Sequence, residues 1–281
     1  MVTVRDRIDE AVRLLADVSD TPRADAEILM AHAAGVPRRR LPQFYGETFD
    51  FPLFQVYLER RLAYEPIPYI IGEWEFYSIP LHVRPPALVP RPETEHLVET
   101  VLEFVGDQSA RVLDIGTGSG CVAVAIAVNA PATEITATDI NPMAVELARE
   151  NAVLNGVADR ISVLQSDLFQ ALSPGRPLYD VICSNPPYVE EDAFSCLSPT
   201  IRLYEDPNAL IAGVDGLDVI RRLIAEAPPF LVPGGLLAFE IGLGQDGLVR
   251  ILLEEAKFDD IRVKPDLAGI SRIVSARNPS P

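Results

Sequence analysis

The chain has 281 residues, of which 48% are hydrophobic, and its formal net charge is −17. This length and apolar content allow one large domain or a domain with a smaller companion. The negative charge argues against broad, non-specific binding of phosphate backbones, which needs clustered Lys and Arg. The one dense basic run, residues 38–40, is short and is more typical of a solvated helix end.

The N-terminus and the cysteines bear on the cellular compartment. Residues 1–6 lack an apolar signal core and include an acidic residue, which argues against secretion or organelle import. No apolar run approaches the roughly 18 residues that a membrane span requires. Cys121, Cys183 and Cys196 show no metal-ligand spacing, and because each lies near apolar residues we expect buried thiols in a reducing compartment. The sequence therefore predicts a cytoplasmic protein without a metal site.

The N-terminal part of the chain has helical periodicity. Apolar residues at spacings of three and four predict an amphipathic helix over 4–18. A capping residue followed by Pro22 predicts a second helix that runs to about Ala34. A third helix is predicted over 50–63. We expect four of its residues to face inward: Leu53, Val56, Tyr57 and Leu62. Because this part shows no central strands, it predicts a small helical domain over residues 1–65.

Residues 66–90 have a different composition. Proline residues separate short aromatic and β-branched pieces, among them residues 69–71 and 74–77. Such pieces are typical of short strands. The segment therefore predicts a β-hairpin linker.

Strands alternate with helices in the remainder of the chain, residues 91–281. The predicted strands lie at 111–115, 134–138, 161–166, 179–184, 235–241, 260–264 and 270–276. After a helix that begins near Glu93, the predicted helices lie at 119–129, 142–154, 216–227 and 245–256. This alternation predicts a doubly wound α/β fold with a mostly parallel seven-stranded sheet covered on both faces. The last two strands are joined by a connection short enough for a hairpin, so one of them should run antiparallel.

A glycine-rich segment follows the first strand of the α/β region. Its sequence is Asp114-Ile115-Gly116-Thr117-Gly118-Ser119-Gly120. Glycines let the backbone turn sharply and approach a ligand, and the next helix directs free N–H groups at the turn. A dinucleotide fingerprint would have its third glycine at Cys121, one residue later than here. This spacing resembles the first motif of S-adenosylmethionine-dependent methyltransferases. That resemblance implies the methionine carboxylate at the helix N-terminus and its ammonium near Asp114. The alternative is a tight strand–helix turn without a ligand.

Acidic residues follow the next two strands. Asp139 lies 19 residues past Gly120, where an acid can bond the ribose hydroxyls of a nucleoside cofactor. Its alternative role is to cap the following helix, for which Asn141 is at least as suitable. After the third strand, Asp167 can accept from an adenine amine while Leu168 packs against the ring. Ser-Asp after a strand is also ordinary turn chemistry.

The tetrapeptide Asn185-Pro186-Pro187-Tyr188 follows the apolar strand at 179–184. In the doubly wound order this strand ends beside the glycine-rich loop, so the tetrapeptide should face the methyl donor. The Asn185 side-chain oxygen and the Pro186 carbonyl can accept both hydrogens of one NH2 group. The prolines are rigid, and Tyr188 has a flat face with a polar tip.

These properties predict a clamp for a planar NH2 group that works by positioning, without a strong base. Asn185, Pro186 and Tyr188 are the predicted catalytic residues, and Pro187 joins them in binding substrate. Asn185 is also expected beside the cofactor. The alternative interpretation of the tetrapeptide is a turn, because Asn-Pro and Pro-Pro are common in loops.

Together these motifs resemble the HemK/PrmC family, the N5-glutamine methyltransferases that modify peptide chain release factors. The resemblance covers nearly the whole chain, and its most specific segment is Val-Pro-Arg-Pro-Glu-Thr-Glu at 89–95. Further matching segments lie at 21–27, 68–76, 215–217, 233–235 and 240–242. One departure lies within 204–210, where Asn208 stands at a position that is usually basic in the family.

The resemblance implies S-adenosylmethionine as the cofactor and a protein substrate, the glutamine of the Gly-Gly-Gln motif of class I release factors. It implies that the helical domain recognises this partner, with no direct nucleic-acid or membrane partner, and a monomer is expected. A nucleic-acid adenine N6-methyltransferase can use the same tetrapeptide, but it must bind phosphates and extract a base, which the charge of −17 disfavours. A non-catalytic binding module and an NAD-dependent dehydrogenase fit the motifs less well.

Overall fold

The computed structural model describes residues 2–48, 51–173 and 178–279. The chain divides into two compact units. The smaller unit comprises Met1–Glu73 and Ser198–Tyr204, and the larger comprises Trp74–Leu197 and Glu205–Pro281. Within the described ranges, no helix has the length and apolar character needed to cross a membrane.

The helices and strands follow each other along the chain in the predicted alternation. The helices are α1 (Val4–Leu14), α2 (Pro22–Ala33), α3 (Pro52–Leu62), α4 (Ile67–Ile71), α5 (Glu95–Val105), α6 (Cys121–Asn129), α7 (Pro142–Leu154), α8 (Glu191–Phe194), α9 (Pro199–Tyr204), α10 (Asp218–Glu226) and α11 (Asp246–Glu255). The strands are β1 (Glu73–Phe76), β2 (Ile79–His82), β3 (Ala110–Ile115), β4 (Thr133–Asp139), β5 (Ile161–Gln165), β6 (Tyr179–Ser184), β7 (Leu231–Glu240), β8 (Asp259–Pro265) and β9 (Ser271–Arg277).

The smaller unit is built from α1 to α4 and α9. Thr3 and Asp6 form a capping box at the start of α1, which satisfies two backbone N–H groups that a helix end leaves free. Arg61 of α3 forms a buried ion pair with Asp25 of α2, at 2.8 Å between Nε and Oδ2. The guanidinium also donates to Thr200 Oγ1 of α9 at 3.4 Å. Arg61 therefore connects α2 by its ion pair and α9 by its hydrogen bond to Thr200.

The inward face of α3 differs from the predicted one. Its buried residues are Phe54, Tyr57, Leu58 and Arg61. The predicted inward positions Leu53 and Val56 are 45% and 50% exposed, so that part of the prediction was wrong. The buried stripe keeps helical spacing but includes Arg61, because its charge is paired with Asp25, and a paired charge can occupy an inward position. The predicted start of this helix at residue 50 lies outside the described residues.

The segment before the β-hairpin is helical. Residues 69–71 were predicted to be extended, but they belong to α4, so that prediction was wrong. Pro68 lies in the first turn, where its fixed φ suits a helix, and Gly72 ends the helix in the left-handed region at φ 78°. The two-stranded sheet of β1 and β2 follows, joined by Tyr77 and Ser78, both at positive φ.

The large sheet has the strand order β5-β4-β3-β6-β7-β9-β8 across the described residues. The pairs from β5 to β7 are parallel, whereas β9 runs antiparallel to both β7 and β8. This confirms the doubly wound, mostly parallel seven-stranded sheet and the single antiparallel strand. The strand order reverses between β3 and β6, which is where such folds bind ligands.

The register of β3 and β6 determines which residues leave the sheet together. Ile115 pairs with Ser184, so Gly116 and Asn185 are the next residues of two neighbouring strands. Both strands are buried, with Val112, Leu113 and Ile182 at 0% exposure. A buried, continuous strand pair of this kind is a rigid base for the loops at its carboxyl end.

Candidate active site

A cavity of about 610 Å³ lies at the carboxyl ends of the central parallel strands. This volume is in the range of small-molecule sites. The predicted site residues that line the cavity are Asp114, Gly116, Thr117, Gly118, Ser119, Asp139, Asp167, Leu168, Asn185 and Pro187. Three further predicted site residues are not among those that line this cavity: Gly120, Pro186 and Tyr188.

The three glycines of the loop have different roles. Gly116 and Gly118 have φ of +70° and +57°, and a Cβ at either would meet no heavy atom within 4 Å. The loop surface there is open, so a ligand can approach the backbone closely. A Cβ at Gly120 would lie 3.0 Å from the Ala148 Cα. Gly120 therefore permits close packing of the loop against α7.

Asp114 is a buried carboxylate at the start of the glycine-rich loop. Its Oδ2 accepts a hydrogen bond from Thr117 Oγ1 at 2.6 Å, and its side chain is 1% exposed. Burial raises the pKa of Asp114 to about 6, while the Thr117 hydrogen bond opposes this change. A carboxylate in such surroundings would be stabilised by a bound cation, such as an ammonium group.

Asp139 braces the glycine-rich loop. Its two oxygens accept from the backbone N–H groups of Gly118 and Asn141, each at 2.8 Å. The helix cap of α7 is Asn141, whose Oδ1 accepts from Met143 N at 2.9 Å. A carboxylate has about four acceptor positions, so Asp139 can accept more hydrogen bonds than these two. The contact with Gly118 is not part of the sequence-based prediction.

Leu168 has an unusual backbone conformation beside Asp167. Its φ is +45°, in the left-handed region that apolar residues rarely adopt, at a cost of roughly 1–2 kcal/mol. The Ser166 hydroxyl donates to the Leu168 carbonyl at 2.9 Å and helps to hold this turn. Asp167 Oδ1 accepts from Arg222 Nη1 at 3.0 Å, and Arg222 also lines the cavity. Strain maintained in this way is typical of ligand sites.

A hydrogen-bonded chain lies behind Asn185. Asn185 Nδ2 donates to Thr94 Oγ1 at 3.0 Å, and Thr94 Oγ1 donates to Glu240 Oε2 at 2.6 Å. The Tyr188 hydroxyl donates to Glu240 Oε1 at 2.9 Å. Burial raises the pKa of Glu240. The pKa of Tyr188 is also raised, first by burial and then by the negative charge of the neighbouring Glu240.

Neither Thr94 nor Glu240 was predicted as a site residue. Both lie in segments that carry the resemblance to the HemK/PrmC family, 89–95 and 240–242, but no residue in those segments was predicted to have a role in the site. The resemblance in those two segments was the feature of the sequence that could have pointed to Thr94 and Glu240 as site residues.

Two glycines make room for Tyr188. A Cβ at Gly216, whose φ is +69°, would overlap the Tyr188 carbonyl oxygen, and one at Gly242 would lie 3.2 Å from Tyr188 Cδ2. Gln245 accepts from Gly242 N at 2.8 Å and donates to the Tyr188 carbonyl at 3.1 Å. The loop of Gly216, the tetrapeptide and the loop after β7 therefore pack as one group.

A second ion pair, in which only the acid is buried, joins Arg91 to Glu205. Arg91 Nη2 contacts both carboxylate oxygens of Glu205 at 2.6 Å, and Glu205 is 4% exposed. Asp206 and Asn208 follow and line the cavity. The Asn208 side chain donates to Asp206 Oδ1 at 3.0 Å.

The cysteines differ from the expectation of three buried thiols. Cys183 is buried, and burial raises the pKa of its thiol well above the usual value. Cys121 is half-buried and lines the cavity. Cys196 is exposed, so the expectation was wrong there. The reason is that Cys196 follows α8, a short surface helix with no buried residue.

The strand order and the position of the cavity show that this protein has the fold of the class I methyltransferases. The family described as "Methyltransferase small domain" matches residues 92–199. The structure is similar to ribosomal protein L11 methylase from Lactobacillus delbrueckii subsp. bulgaricus, with a TM-score of 0.51, 22% identity, and coverage of 69% of this chain and 83% of that one. It is also similar to a T. thermophilus 16S rRNA methyltransferase in complex with AdoMet and guanosine, with a TM-score of 0.55, 20% identity, and coverage of 73% and 49%. At these identities the likeness concerns the fold alone.

Sequence relatives define the particular family. Release factor glutamine methyltransferase from Rhodopirellula baltica is 42% identical over 266 residues, which cover 92% of this chain and 90% of that protein. The protein of the same name from Cereibacter sphaeroides is 41% identical over 271 residues, covering 95% of each. The family described as "PrmC N-terminal domain" matches residues 6–72. The chain belongs to the release factor glutamine methyltransferase family, which confirms the resemblance stated above.

Proposed function

We propose that this protein transfers a methyl group from S-adenosylmethionine to the side-chain amide nitrogen of the glutamine in the Gly-Gly-Gln motif of class I peptide chain release factors. The observation that carries the proposal is the juxtaposition of Asn185 with the glycine-rich loop. The pairing of Ile115 with Ser184 brings both to one edge of the sheet. The names of the relatives support the substrate class.

The site fits the proposed cofactor. When bound, S-adenosylmethionine supplies an activated methyl group on a sulfonium, and the related rRNA methyltransferase was solved with AdoMet. The open surface at Gly116 and Gly118 and the buried carboxylate of Asp114 suit an amino-acid end that carries an ammonium. Asp139 has acceptor positions for ribose hydroxyls, and Leu168 lines the cavity where the ring would pack. The proposed cofactor-binding residues are Asp114, Gly116, Thr117, Gly118, Ser119, Gly120, Asp139, Asp167, Leu168 and Asn185.

The tetrapeptide is proposed to hold the substrate amide. Asn185 Oδ1 and the Pro186 carbonyl accept the two hydrogens of the NH2 group, which directs the nitrogen lone pair at the methyl group. An amide nitrogen is a weak nucleophile because its lone pair is delocalised, so most of the acceleration comes from positioning, which contributes several kcal/mol. A strong base is not needed, because the nitrogen becomes acidic once it carries the methyl group. Pro187 and Tyr188 complete the proposed clamp.

A methyl-transfer assay tests this function. The protein is incubated with labelled S-adenosylmethionine and, separately, with a release factor, its Gly-Gly-Ala variant and DNA. We expect label on the release factor alone. Label on DNA would favour an adenine N6-methyltransferase, and equal label on the Ala variant would contradict the glutamine target.

We further propose that residues 1–65 recognise the release factor, with 66–90 as the linker and 91–281 as the methyltransferase domain. The match of the N-terminal family to residues 6–72 supports a dedicated role for this part. The protein is proposed to act in the cytoplasm as a monomer, without binding nucleic acid. Cross-linking to the release factor should label residues 1–65, and sedimentation should give the monomer mass. Cross-links confined to 91–281 would contradict this division.

A further inference from the structure

We infer that Glu240 is a positioning residue for methyl transfer. Acting through Thr94, it determines which end of the Asn185 side-chain amide faces the cavity, and so makes the site select an NH2 group over a carboxylate. The inference rests on the proposed function and adds to it a physical basis for distinguishing glutamine from glutamate.

The positions of Glu240 and Asn185 follow from the sheet. Ser184 of β6 pairs with Phe239 of β7, so Asn185 and Glu240 are the next residues of two neighbouring parallel strands. Glu240 is 1% exposed, and both of its oxygens accept hydroxyl hydrogens, from Thr94 at 2.6 Å and Tyr188 at 2.9 Å. A buried carboxylate with two such donors is held in place, because losing either donor would leave one of its oxygens without a partner.

The direction of these hydrogen bonds sets the direction of the Asn185 amide. A hydroxyl has one hydrogen, and Thr94 donates its hydrogen to Glu240, which leaves the Thr94 oxygen as an acceptor. Only the NH2 end of Asn185 can meet that acceptor, and it does so at 3.0 Å. The oxygen end of Asn185 is therefore left for the cavity that this residue lines. The two ends of an amide have nearly the same shape, so the network and not the shape makes this choice.

Thr94 is used for this purpose instead of helix capping. It stands immediately before α5, where a Thr side chain commonly accepts from the first turn. Here its backbone is helical, with φ of −67°, and its side chain makes no cap hydrogen bond. The hydroxyl is thereby available to connect Glu240 with Asn185.

The two prolines of the tetrapeptide also offer hydrogen-bond acceptors and no donors. Pro186 and Pro187 have no backbone N–H, so the main chain after Asn185 offers carbonyl oxygens only. A glutamine NH2 group can donate to these acceptors, whereas a glutamate carboxylate would meet them with its own lone pairs. Sites that bond a specific polar group reject analogues without it strongly, because their buried polar groups then stay unpaired.

The decisive variant is Glu240→Gln, which keeps the shape but removes the enforced direction. The new Gln NH2 group can donate to Thr94, and Thr94 can then donate to Asn185 Oδ1. The Asn185 amide is then free to turn its NH2 end toward the cavity.

We expect kcat of Glu240→Gln on the Gly-Gly-Gln release factor to fall about 100-fold, as for a misplaced reacting group, with unchanged affinity for S-adenosylmethionine by calorimetry. With the Gly-Gly-Glu release factor as a competitive inhibitor, the variant should discriminate between glutamine and glutamate less strongly than the wild type does.

Thr94 provides a matched pair of variants that also controls for folding. Thr94→Val removes the hydroxyl with little change of shape and should lose kcat as Glu240→Gln does, whereas Thr94→Ser retains the hydroxyl and should keep turnover near the wild-type level. Equal turnover by Thr94→Val and Thr94→Ser would overturn the inference, as would wild-type kcat with unchanged glutamine–glutamate discrimination in Glu240→Gln. A wild-type protein that transfers no methyl group to the release factor would overturn the proposed function itself.

Discussion

At the residue scale, the site concentrates buried acidic groups around one loop. Asp114 and Asp139 both have raised pKa values because they are buried, and each is further affected by a neighbouring acid. Asp139 uses its oxygens to hold Gly118, whereas Asp114 bonds the hydroxyl of Thr117. Without a bound cation this arrangement is electrostatically unfavourable, so the protein should gain stability when a cationic ligand binds.

Asp114→Asn should stabilise the protein without ligand and weaken cofactor binding. The folded-state pKa of Asp114 is about 6, above the ordinary 3.8, so ionisation of Asp114 lowers the free energy of unfolding. This loss grows as the pH rises from 3.8 to about 6 and stays constant at higher pH. The gain of the variant should therefore be larger at pH 8 than at pH 4, by up to about 3 kcal/mol at 1.4 kcal/mol for each pKa unit. Urea unfolding at the two pH values measures this, and a pH-independent difference would contradict it.

Asp139→Ala should lower cofactor affinity, because it removes both the proposed ribose acceptor and the brace on Gly118. Asn141→Ala is the matched control, since Asn141 caps α7. The control should lose about 1 kcal/mol of stability and keep most of its cofactor affinity. Calorimetry and thermal unfolding distinguish the two variants. Unchanged affinity in Asp139→Ala would limit Asp139 to a structural role.

Asn185→Ala should abolish turnover and leave cofactor binding largely intact. The reason is that the proposed role of Asn185 is to orient the substrate amide, which affects the reacting geometry more than ground-state binding of the cofactor. Single-turnover assays and calorimetry provide the two measurements. Complete loss of cofactor affinity would make Asn185 mainly a cofactor residue.

At the element scale, the loops that follow β6 and β7 are packed around Tyr188. Gly216 and Gly242 leave the space that the Tyr188 backbone and ring occupy, and Gln245 connects the loops by hydrogen bonds. The sequence resemblance rests partly on the segments 215–217 and 240–242, and this packing gives a physical reason for a glycine at each position. The position of the tetrapeptide thus depends on loops distant in sequence.

Gly216→Ala should reduce both stability and turnover. Its φ is +69°, and a Cβ there would overlap the Tyr188 carbonyl, so the tetrapeptide would have to move. Gly269→Ala is the control, because Gly269 has φ of +79° but open space at its Cβ. The control should lose only about 1–2 kcal/mol from backbone strain, with normal kcat. Equal kcat in the two variants would contradict the role given to Gly216.

At the scale of the whole molecule, the chain returns to its helical unit after the tetrapeptide. Ser198–Tyr204 belongs to the smaller unit, whereas the residues on both sides of it belong to the larger one. Within the smaller unit, the Tyr204 hydroxyl donates to the Ala63 carbonyl at 2.8 Å, and Arg61 contacts Thr200. The smaller unit is therefore completed by a segment that lies far along the chain.

Arg61→Met should destabilise the smaller unit by about 3–5 kcal/mol, because it leaves the buried Asp25 without its ionic partner. The double variant with Asp25→Leu should recover most of this loss, since two packed apolar groups can replace a buried ion pair. Urea unfolding followed by circular dichroism measures both. A single variant as stable as the double variant would contradict the importance of the pair.

Local regularities made much of the fold predictable. The apolar run at 179–184 coincides with β6, and the predicted helix at 142–154 coincides with α7. The glycine spacing located the loop of the cavity, and the short last connection indicated the antiparallel strand. The predictions failed for the inward face of α3, for residues 69–71 and for Cys196, where the outcome depended on distant partners or on surface position.

The sequence by itself determined the alternation of strands and helices, the glycine-rich loop, the tetrapeptide and the family, because these depend on near neighbours and short motifs. Only the tertiary structure decided what lies behind Asn185. Thr94 and Glu240 are 146 residues apart, and their hydrogen bond exists because β7 pairs beside β6 and α5 begins next to their ends. Sequence spacing carries no information on such a contact, since strand order and register bring the two side chains together.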